Sequence, residues 1–181
     1  MLHPIKHFIV ITRHRHKVMR YCFRCGLYRQ GLLHDLSKYG FKEFWLGAKY
    51  YVGTKSPHYK ERLAKGYSEG WMHHKGRNMH HGEYWVDVDP VTKVYAPVKM
   101  PDCYLAESLC DRIAASENYN RQNFDRKMVL DYYLNTSLKH EPLHEESKKK
   151  LQELIELYVE KGKKAVFKYI KKNMRHKKAT Y

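Results

Sequence analysis

The chain has 181 residues, enough for one domain with a sizeable hydrophobic core. Hydrophobic residues make up 43% of it and aromatic residues 14%, a composition that excludes an intrinsically disordered chain. The 35 Lys and Arg residues outnumber the 19 Asp and Glu residues, giving a formal net charge of +16. This excess favours polyanionic or phosphorylated partners, although it does not by itself establish nucleic-acid binding.

The distribution of apolar residues argues against a membrane-spanning or secreted chain. No apolar run approaches the ~20 residues of a transmembrane helix. Charged residues and histidines interrupt every apolar run of the first seven residues, which is not the pattern of a signal peptide. We therefore predict a cytoplasmic protein with no membrane partner.

The first predicted helix begins at Pro4, a residue suited to the first helical turn, and ends near Gly26. Its apolar positions follow 3-and-4 spacing, which predicts that they face the core. These positions are Ile5, Phe8, Ile9, Thr12, His16, Met19 and Phe23. His14 and His16 both lie on this helix, and His16 falls on the stripe, which predicts that His16 faces inward.

A short helix over residues 30–38 is predicted next, and it carries the doublet His34-Asp35 between leucines. A carboxylate and an imidazole among apolar residues are costly to bury without a partner. A metal ion is the simplest partner, since Asp is a hard anionic ligand and neutral His is the commonest nitrogen ligand. The alternative is a His-Asp pair at the end of an ordinary helix, satisfied by water.

Further apolar stripes predict an all-α bundle of about seven or eight helices. Residues 85–96 alternate around Asp89-Pro90 and predict a small β-hairpin as an excursion from the bundle. We divide the single domain into a helical core over residues 1–120 and basic C-terminal helices over residues 121–181. The remaining helical segments are residues 41–52, one opened by Ser56-Pro57, one opened by Pro101-Asp102, 125–138, and 145–158 with a break at Gly162 before a last stripe.

Residues 71–85 contain four histidines and one asparagine within nine positions. His74, Asn78 and His81 are spaced four and three apart, which places them on one face of a helix. A His-rich surface segment is the alternative interpretation. Downstream, Asp111 lies among small neighbours that would let its carboxylate approach another element, or it is an exposed acid beside Arg112.

The cysteines and the C-terminal lysines have simpler interpretations. Cys22 and Cys25 form a C-x-x-C pair, whereas Cys103 and Cys110 are seven residues apart. A zinc site stays open, but we predict that these cysteines are small core residues. After Glu160 the chain has basic residues and no acid, which makes a candidate nucleic-acid patch or, more commonly, a solvated basic face.

The candidate ligand types define the chemistry. A set of His and Asp ligands suits one or two ions of Fe, Mn, Co, Ni or Zn better than Mg. Such a metal makes hydroxide available near neutral pH and polarises a phosphoryl oxygen. Lys38 and Arg77 are candidates for neutralising a substrate phosphate, and Asn78 for orienting a water or a substrate oxygen. Lys38 has a simpler alternative role against the dipole of its own helix.

Three sequence features together resemble the HD-domain superfamily of metal-dependent phosphohydrolases. They are His16, the run Leu-His-Asp-Leu-Ser-Lys over residues 33–38, and Asp111 within residues 109–115. In that superfamily a His, the His-Asp doublet and a distant Asp, all on helices, hold a divalent metal. The run over residues 78–85 adds a likeness to a group of small HD-like bacterial and phage proteins. The resemblance covers roughly residues 12 to 116.

The resemblance implies an HD-like helical bundle and a set of metal ligands. The first metal is expected on His16, or His14 in its place, with His34, Asp35 and Asp111. A second metal is expected on His74 with His80 or His81, and His73 is the least favoured of the four histidines. The implied function is hydrolysis of a nucleotide or another small phosphoester. The alternatives are an HD-like di-iron oxygenase, or a non-enzymatic basic helical module that binds nucleic acid.

Overall fold

A computed structural model describes residues 2–174 of the chain. The structure is 72% helical, so the predicted all-α fold class is confirmed. Within the described residues, no helix combines the length and apolar character needed to cross a membrane. The α-helices are α1 (Pro4–Arg24), α2 (Tyr28–Leu33), α3 (Phe41–Lys49), α4 (Pro57–Lys65), α5 (Glu69–Lys75), α6 (Asp102–Asn120), α7 (Lys127–Tyr132), α8 (Leu138–His140) and α9 (Glu145–Asn173).

The predicted hairpin is also confirmed. Strand β1 (Val86–Val88) pairs with β2 (Tyr95–Pro97) in an antiparallel two-stranded sheet. Short 3₁₀ turns, Leu36–Tyr39 and Gly82–Tyr84, precede it. The sheet lies between α5 and α6 in the chain, and it is an excursion from the helical bundle.

The hydrophobic core lies between α1, α6 and α9. Helix α6 is buried over most of its length because its neighbours cover it on several sides, and Leu109 and Ile113 are fully inside. Leu154 and Tyr158 of α9 belong to the same hydrophobic cluster, so the core continues across the predicted boundary at residue 120. Cys22, Cys25 and Cys110 also lie in this cluster, and Cys103 packs at its edge.

Helix α1 turns a different face inward from the one that its apolar stripe predicts. The buried positions are His7, Ile11, His14, Val18, Tyr21 and Cys22. Ile5 is 75% exposed and Phe8 is 48% exposed, so the prediction that this stripe faces the core is wrong. The reason is tertiary, because α2, α3 and α6 pack on the histidine-bearing side of α1 and leave part of the stripe uncovered.

The predicted helix over residues 30–38 is broken in the middle. Helix α2 ends at Leu33, and a 3₁₀ turn starts at Leu36. Asp35 between them has a left-handed backbone, with φ of 55°. Adjacent residues of a continuous α-helix point about 100° apart, so the break lets His34 and Asp35 both face the interior.

The C-terminal third follows the predicted segments with local irregularities. Instead of one helix over residues 125–138, α7 leads into a π-helical turn at Tyr133–Ser137 and then into α8. Gly162 interrupts α9 with φ of 76°, which confirms the predicted break as a kink. Five lysines of the kinked part of α9 are exposed; they are Lys161, Lys164, Lys168, Lys171 and Lys172. The end of the predicted basic tail, residues 175–181, lies outside the described residues.

Candidate metal centre

The carboxylate of Asp35 lies at the centre of a buried cluster of imidazoles. Its Oδ2 atom is 3.3 Å from Nε2 of His34 and 3.6 Å from Nε2 of His14. Its Oδ1 atom is 3.3 Å from Nε2 of His74 and 3.6 Å from Nε2 of His80. Asp35 is only 1% exposed. Each carboxylate oxygen therefore faces a different pair of histidines.

Asp111 of α6 closes the cluster from another side. Its Oδ1 atom is 2.9 Å from Nε2 of His14 and 3.9 Å from Nε2 of His34. Its Oδ2 atom is 3.9 Å from Nε2 of His80. The predicted convergence of Asp111 with the doublet is therefore present, although Asp111 and His34 are far apart in the sequence.

The donor atoms of this cluster are poorly satisfied by the protein alone. Among the described residues, Nε2 of His34, Nε2 of His80 and Oδ1 of Asp35 are buried and have no hydrogen-bond partner. Nε2 of His14 is also buried, and its short approach to Asp111 lacks the geometry of a hydrogen bond. Unpaired buried polar atoms are rare and costly, and a bound ion is one way in which proteins satisfy them. Three groups of residues have donor atoms within 4.8 Å of one another. Two of them contain Asp35, one with His14 and His34 and the other with His74, His80 and His81, and the third is His34 with His80 and Glu107.

The charge states of most donors suit a metal ion. Burial would raise the pKa of Asp35, but the positive charges of His34 and Lys38 outweigh it and hold that pKa well below its usual range. Burial lowers the pKa of His14 and of His74, so both imidazoles are neutral near pH 7. Ionised carboxylates and neutral imidazoles are the forms that bind metals.

His34 is the exception. Burial would lower its pKa, but the negative charge of Asp35 outweighs this, and the pKa is raised well above its usual value. In the absence of a metal, a proton on His34 therefore compensates part of the negative charge. Metal binding at this imidazole must displace that proton.

Glu107, which sequence analysis did not select, links the two histidine pairs. Its Oε1 atom is 2.8 Å from Nδ1 of His34 and 3.2 Å from Nδ1 of His80. A carboxylate that accepts the Nδ1 proton leaves Nε2 free for a ligand and fixes the ring orientation. The sequence could have indicated Glu107 by its spacing, because it lies on α6 four residues before Asp111 and so shares a helix face with that carboxylate.

Glu43 of α3 has the same relation to His74 and was also missed. Its Oε2 atom is 2.9 Å from Nδ1 of His74, and its Oε1 atom is 2.6 Å from Nδ1 of His73. His73 therefore lies beside the cluster as a partner of Glu43, in agreement with its low rank among the four histidines. Ser37 donates to Glu43 at 3.0 Å, which ties the turn after the doublet to the same carboxylate.

The structure does not bring His16 into the cluster. His16 is exposed on α1, and His14, two residues earlier, occupies the inward position in its place. The correction follows from the orientation of α1, since His7, His14 and Val18 share the buried face and the apolar stripe does not. The favoured residue was therefore wrong, and the rival is the one that contacts Asp111.

The three predicted catalytic residues have different positions. Nζ of Lys38 lies 2.6 Å from Oδ2 of Asp35, at the cluster. Asn78 is buried, and its side-chain nitrogen donates to Oγ of Ser37 at 2.9 Å and to the backbone oxygen of His74 at 2.8 Å. Arg77 is exposed and donates to the backbone oxygen of His73, so it is not brought to the cluster.

His81 occupies the outer edge of the cluster. Its ring centroid is 4.1 Å from that of His80 and 4.8 Å from that of Trp71. Burial lowers its pKa well below the usual value, so the imidazole is neutral. His74, His80 and His81 all lie around Oδ1 of Asp35. The sequence predicted His74 with His80 or His81, and the structure places both of these histidines beside it.

Comparison with protein families adds one finding. The model of DUF5662, a family of unknown function, matches residues 3–157. The chain belongs to this family. The matched range contains the whole cluster from His14 to Asp111, together with Glu43 and Glu107. Comparisons with curated proteins and with solved structures found no match.

Proposed function

We propose that this protein is a metal-dependent phosphohydrolase that acts on a nucleotide or another small phosphoester. The observation that carries the proposal is the convergence of four imidazole Nε2 atoms on the two oxygens of Asp35, with several of these atoms lacking a hydrogen-bond partner. Such a set has little use in a purely structural core, where buried polar atoms are paired.

The ligands divide into two positions that share Asp35. The first position has His14, His34, Oδ2 of Asp35 and Asp111. The second has Oδ1 of Asp35 with His74, His80 and His81. This order along the chain is the one implied by the resemblance to the HD-domain superfamily, with His14 in place of His16. The ligand types favour Fe, Mn, Co, Ni or Zn.

A bound divalent metal at this site supplies Lewis-acid activation of water and of a phosphoryl oxygen. The protein's own residues hold and orient the ligands, and Lys38 is the cation assigned to the substrate phosphate. Its side chain is 25% exposed, whereas Asp35 beneath it is buried, so its ammonium lies between the cluster and solvent. Asn78 is assigned a positioning role, because its amide nitrogen already holds Ser37 and the backbone of His74.

A di-iron oxygenase is the second candidate enzyme. The observation that favours it is the number of donors, since the five histidines and two aspartates of the two positions are enough for the six His and Asp ligands of some HD-like oxygenases. Iron in such a site gives a visible absorption that bleaches on reduction, whereas a hydrolase loaded with Zn or Mn has no such band. A basic nucleic-acid-binding module is the third candidate, favoured by the exposed lysines of α9.

The decisive experiment measures metal content and activity in the same preparations. The parent chain, the Asp35→Asn variant and the control variant Asp131→Asn are purified and screened against generic phosphoesters and nucleotides. Asn keeps the shape of Asp35 and tolerates its left-handed backbone, and Asp131 is an exposed acid of α7 outside the cluster. We expect Asp35→Asn to lose both metal and hydrolysis, and Asp131→Asn to behave like the parent.

Three results would contradict the proposal. Less than about one metal per chain in the parent, together with nucleic-acid binding that truncation after Glu160 abolishes, favours the basic module. Iron with a reducible visible band and no phosphoester hydrolysis favours the oxygenase. Hydrolysis that survives in Asp35→Asn shows that the activity does not arise at this cluster.

A further inference from the structure

The exposed side of α1 carries an apolar surface that nothing in the described residues covers. Ile5, Phe8 and Ile9 lie on its first two turns and are all exposed, and Leu2 precedes them. Single exposed apolar residues are ordinary on protein surfaces, but a contiguous group usually marks an interaction site. Here the group follows helical spacing, so it forms a continuous strip about two turns long.

The strip continues onto the turn that follows the metal-binding doublet. The ring of Phe8 packs edge-on against the ring of Tyr39, with 6.0 Å between the ring centroids. The hydroxyl of Tyr39 donates a hydrogen bond to the hydroxyl of Thr12 of α1 at 3.0 Å. Leu36 of the same turn is exposed. We call the surface of Leu2, Ile5, Phe8, Ile9 and Leu36 the apolar face of α1.

The exposed charges of the segment that carries this face have a single sign. The first 68 residues contain 14 Lys and Arg residues and only three acids. All three acids, Asp35, Glu43 and Glu61, are buried. Asp35 and Glu43 belong to the metal cluster, and Glu61 accepts a hydrogen bond from Ser68 at 2.6 Å at the start of α5. The surface formed by residues 2–68 therefore presents cations and no carboxylate.

Several of these cations lie on α1 itself. Lys6, Arg13 and Arg20 are exposed on the helix that carries the apolar face. A second copy of the chain is a poor occupant, because a two-fold contact would place these cations against each other. Nucleic acid matches the charge but not the aliphatic side chains, since ribose-phosphate backbones are bound by cations and bases by stacking on aromatic rings. The occupant must offer both anionic groups and an apolar layer.

We infer that the apolar face of α1 docks on the surface of an anionic lipid bilayer. Ile5, Ile9 and Leu36 would enter the boundary between headgroups and acyl chains, while Lys6, Arg13 and Arg20 contact the anionic headgroups. This is attachment at the surface, without a membrane-spanning helix. The sequence led us to predict no membrane partner, because that prediction considered membrane-spanning segments alone. Such docking does not depend on the proposed hydrolase activity.

The test is co-sedimentation of the full chain with lipid vesicles. One set of vesicles is phosphatidylcholine alone, and the other contains equal parts of phosphatidylcholine and phosphatidylglycerol. We expect binding to the anionic vesicles that weakens as salt is added, and much weaker binding to the neutral ones. The double variant Lys6→Gln/Arg13→Gln should bind the anionic vesicles about 30-fold more weakly, because each basic residue near the surface contributes roughly a five-fold factor.

The apolar contribution has its own matched pair of variants. Ile5→Ser/Ile9→Ser should lower binding to anionic vesicles by about 10-fold or more, since it removes buried hydrocarbon. The control Val91→Ser/Val94→Ser changes two exposed apolar residues of the hairpin and should bind like the parent. A second control, Lys164→Gln/Lys168→Gln, removes two exposed lysines of α9 and should have a small effect compared with Lys6→Gln/Arg13→Gln.

Several outcomes would overturn the inference. One is a parent that sediments with neither kind of vesicle, and another is a loss of binding in the control variants as large as that in the α1 variants. Binding to a single-stranded or duplex oligonucleotide that falls in Ile5→Ser/Ile9→Ser, with no vesicle binding, would assign the face to nucleic acid. A parent that is dimeric in sedimentation velocity, with a monomeric Ile5→Ser/Ile9→Ser variant, would assign it to a second copy of the chain.

Discussion

Replacing Glu107 by Gln tests whether this residue links the two proposed metal positions. One oxygen of Glu107 accepts from His34, in the first position, and from His80, in the second. Gln keeps the size of the side chain but replaces a charged acceptor by a weaker, neutral one. Both imidazoles therefore keep only a weaker partner at Nδ1 to direct Nε2 towards the proposed metal.

The magnitude follows from the number of ligands affected. Removing one outer-shell partner of a metal ligand typically costs 10- to 100-fold in metal affinity. Because Glu107 serves a ligand in each position, we expect a loss of that size at both, or about 10²- to 10⁴-fold for complete loading. This corresponds to about 2.7–5.5 kcal/mol. Glu43→Gln is the matched control, since among the proposed ligands Glu43 contacts only His74 and should weaken the second position alone.

The assay is calorimetric titration of metal-stripped protein with Mn²⁺ or Zn²⁺, with circular dichroism to establish that each variant is folded. We expect two weakened binding steps for Glu107→Gln and one for Glu43→Gln. If Glu107→Gln binds both ions like the parent, the contacts of Glu107 do not position the ligands. If Glu43→Gln weakens both steps equally, the division into two positions is wrong.

The remaining predictions concern the candidate ligand His14, the proposed role of Lys38 towards substrate, and the pH dependence of stability. His14→Ala should lose metal while His16→Ala retains the parental content, and equal content in both variants would reverse the correction. Lys38→Ala should keep its metal, because the lysine ammonium of the parent competes with a metal for Asp35. Turnover should fall by about 10²-fold. Loss of metal in this variant would assign Lys38 to the centre itself. Burial, and then the charge of Lys38, lowers the pKa of His7 from 6.5 to about 4, so the unfolded chain takes up this proton at a higher pH than the folded protein. Stability should therefore fall as the pH drops from 6.5 towards 4, with His7 contributing at most about 3 kcal/mol, and His7→Leu should reduce this pH dependence of the free energy of unfolding measured with denaturant.

The fold class was accessible from the sequence because it depends on local periodicity. Helices α1 and α4 begin at the prolines that predict their starts, and α9 is interrupted at the predicted glycine. The inward face of α1 was not accessible in this way. Periodicity identifies an apolar face but not whether the neighbouring helices cover it, and here Ile5 and Phe8 lie at the surface while His14 is inside.

The candidate metal ligands were only partly predictable for a related reason. His34, Asp35 and Asp111 were selected because scarce ligand types in apolar or small-residue surroundings are unusual. Glu43 and Glu107 were not selected, because a glutamate on a helix is ordinarily a solvated residue. Their burial becomes evident only in the folded bundle, where each glutamate accepts a hydrogen bond from Nδ1 of a histidine on another segment of the chain.

The left-handed backbone of Asp35 has a consequence for how the centre assembles. A non-glycine residue in that conformation is held by its surroundings, and the conformation costs about 1–3 kcal/mol that the surrounding contacts must offset. The contacts that hold this segment come from distant parts of the chain, as with His34 and Glu107, which are 73 residues apart. We therefore expect residues 34–39 to order late in folding, and their amides to exchange with solvent faster than those of α6 in metal-free protein. Metal binding should slow that exchange, since a ligand that binds only the closed segment raises the free energy of opening it.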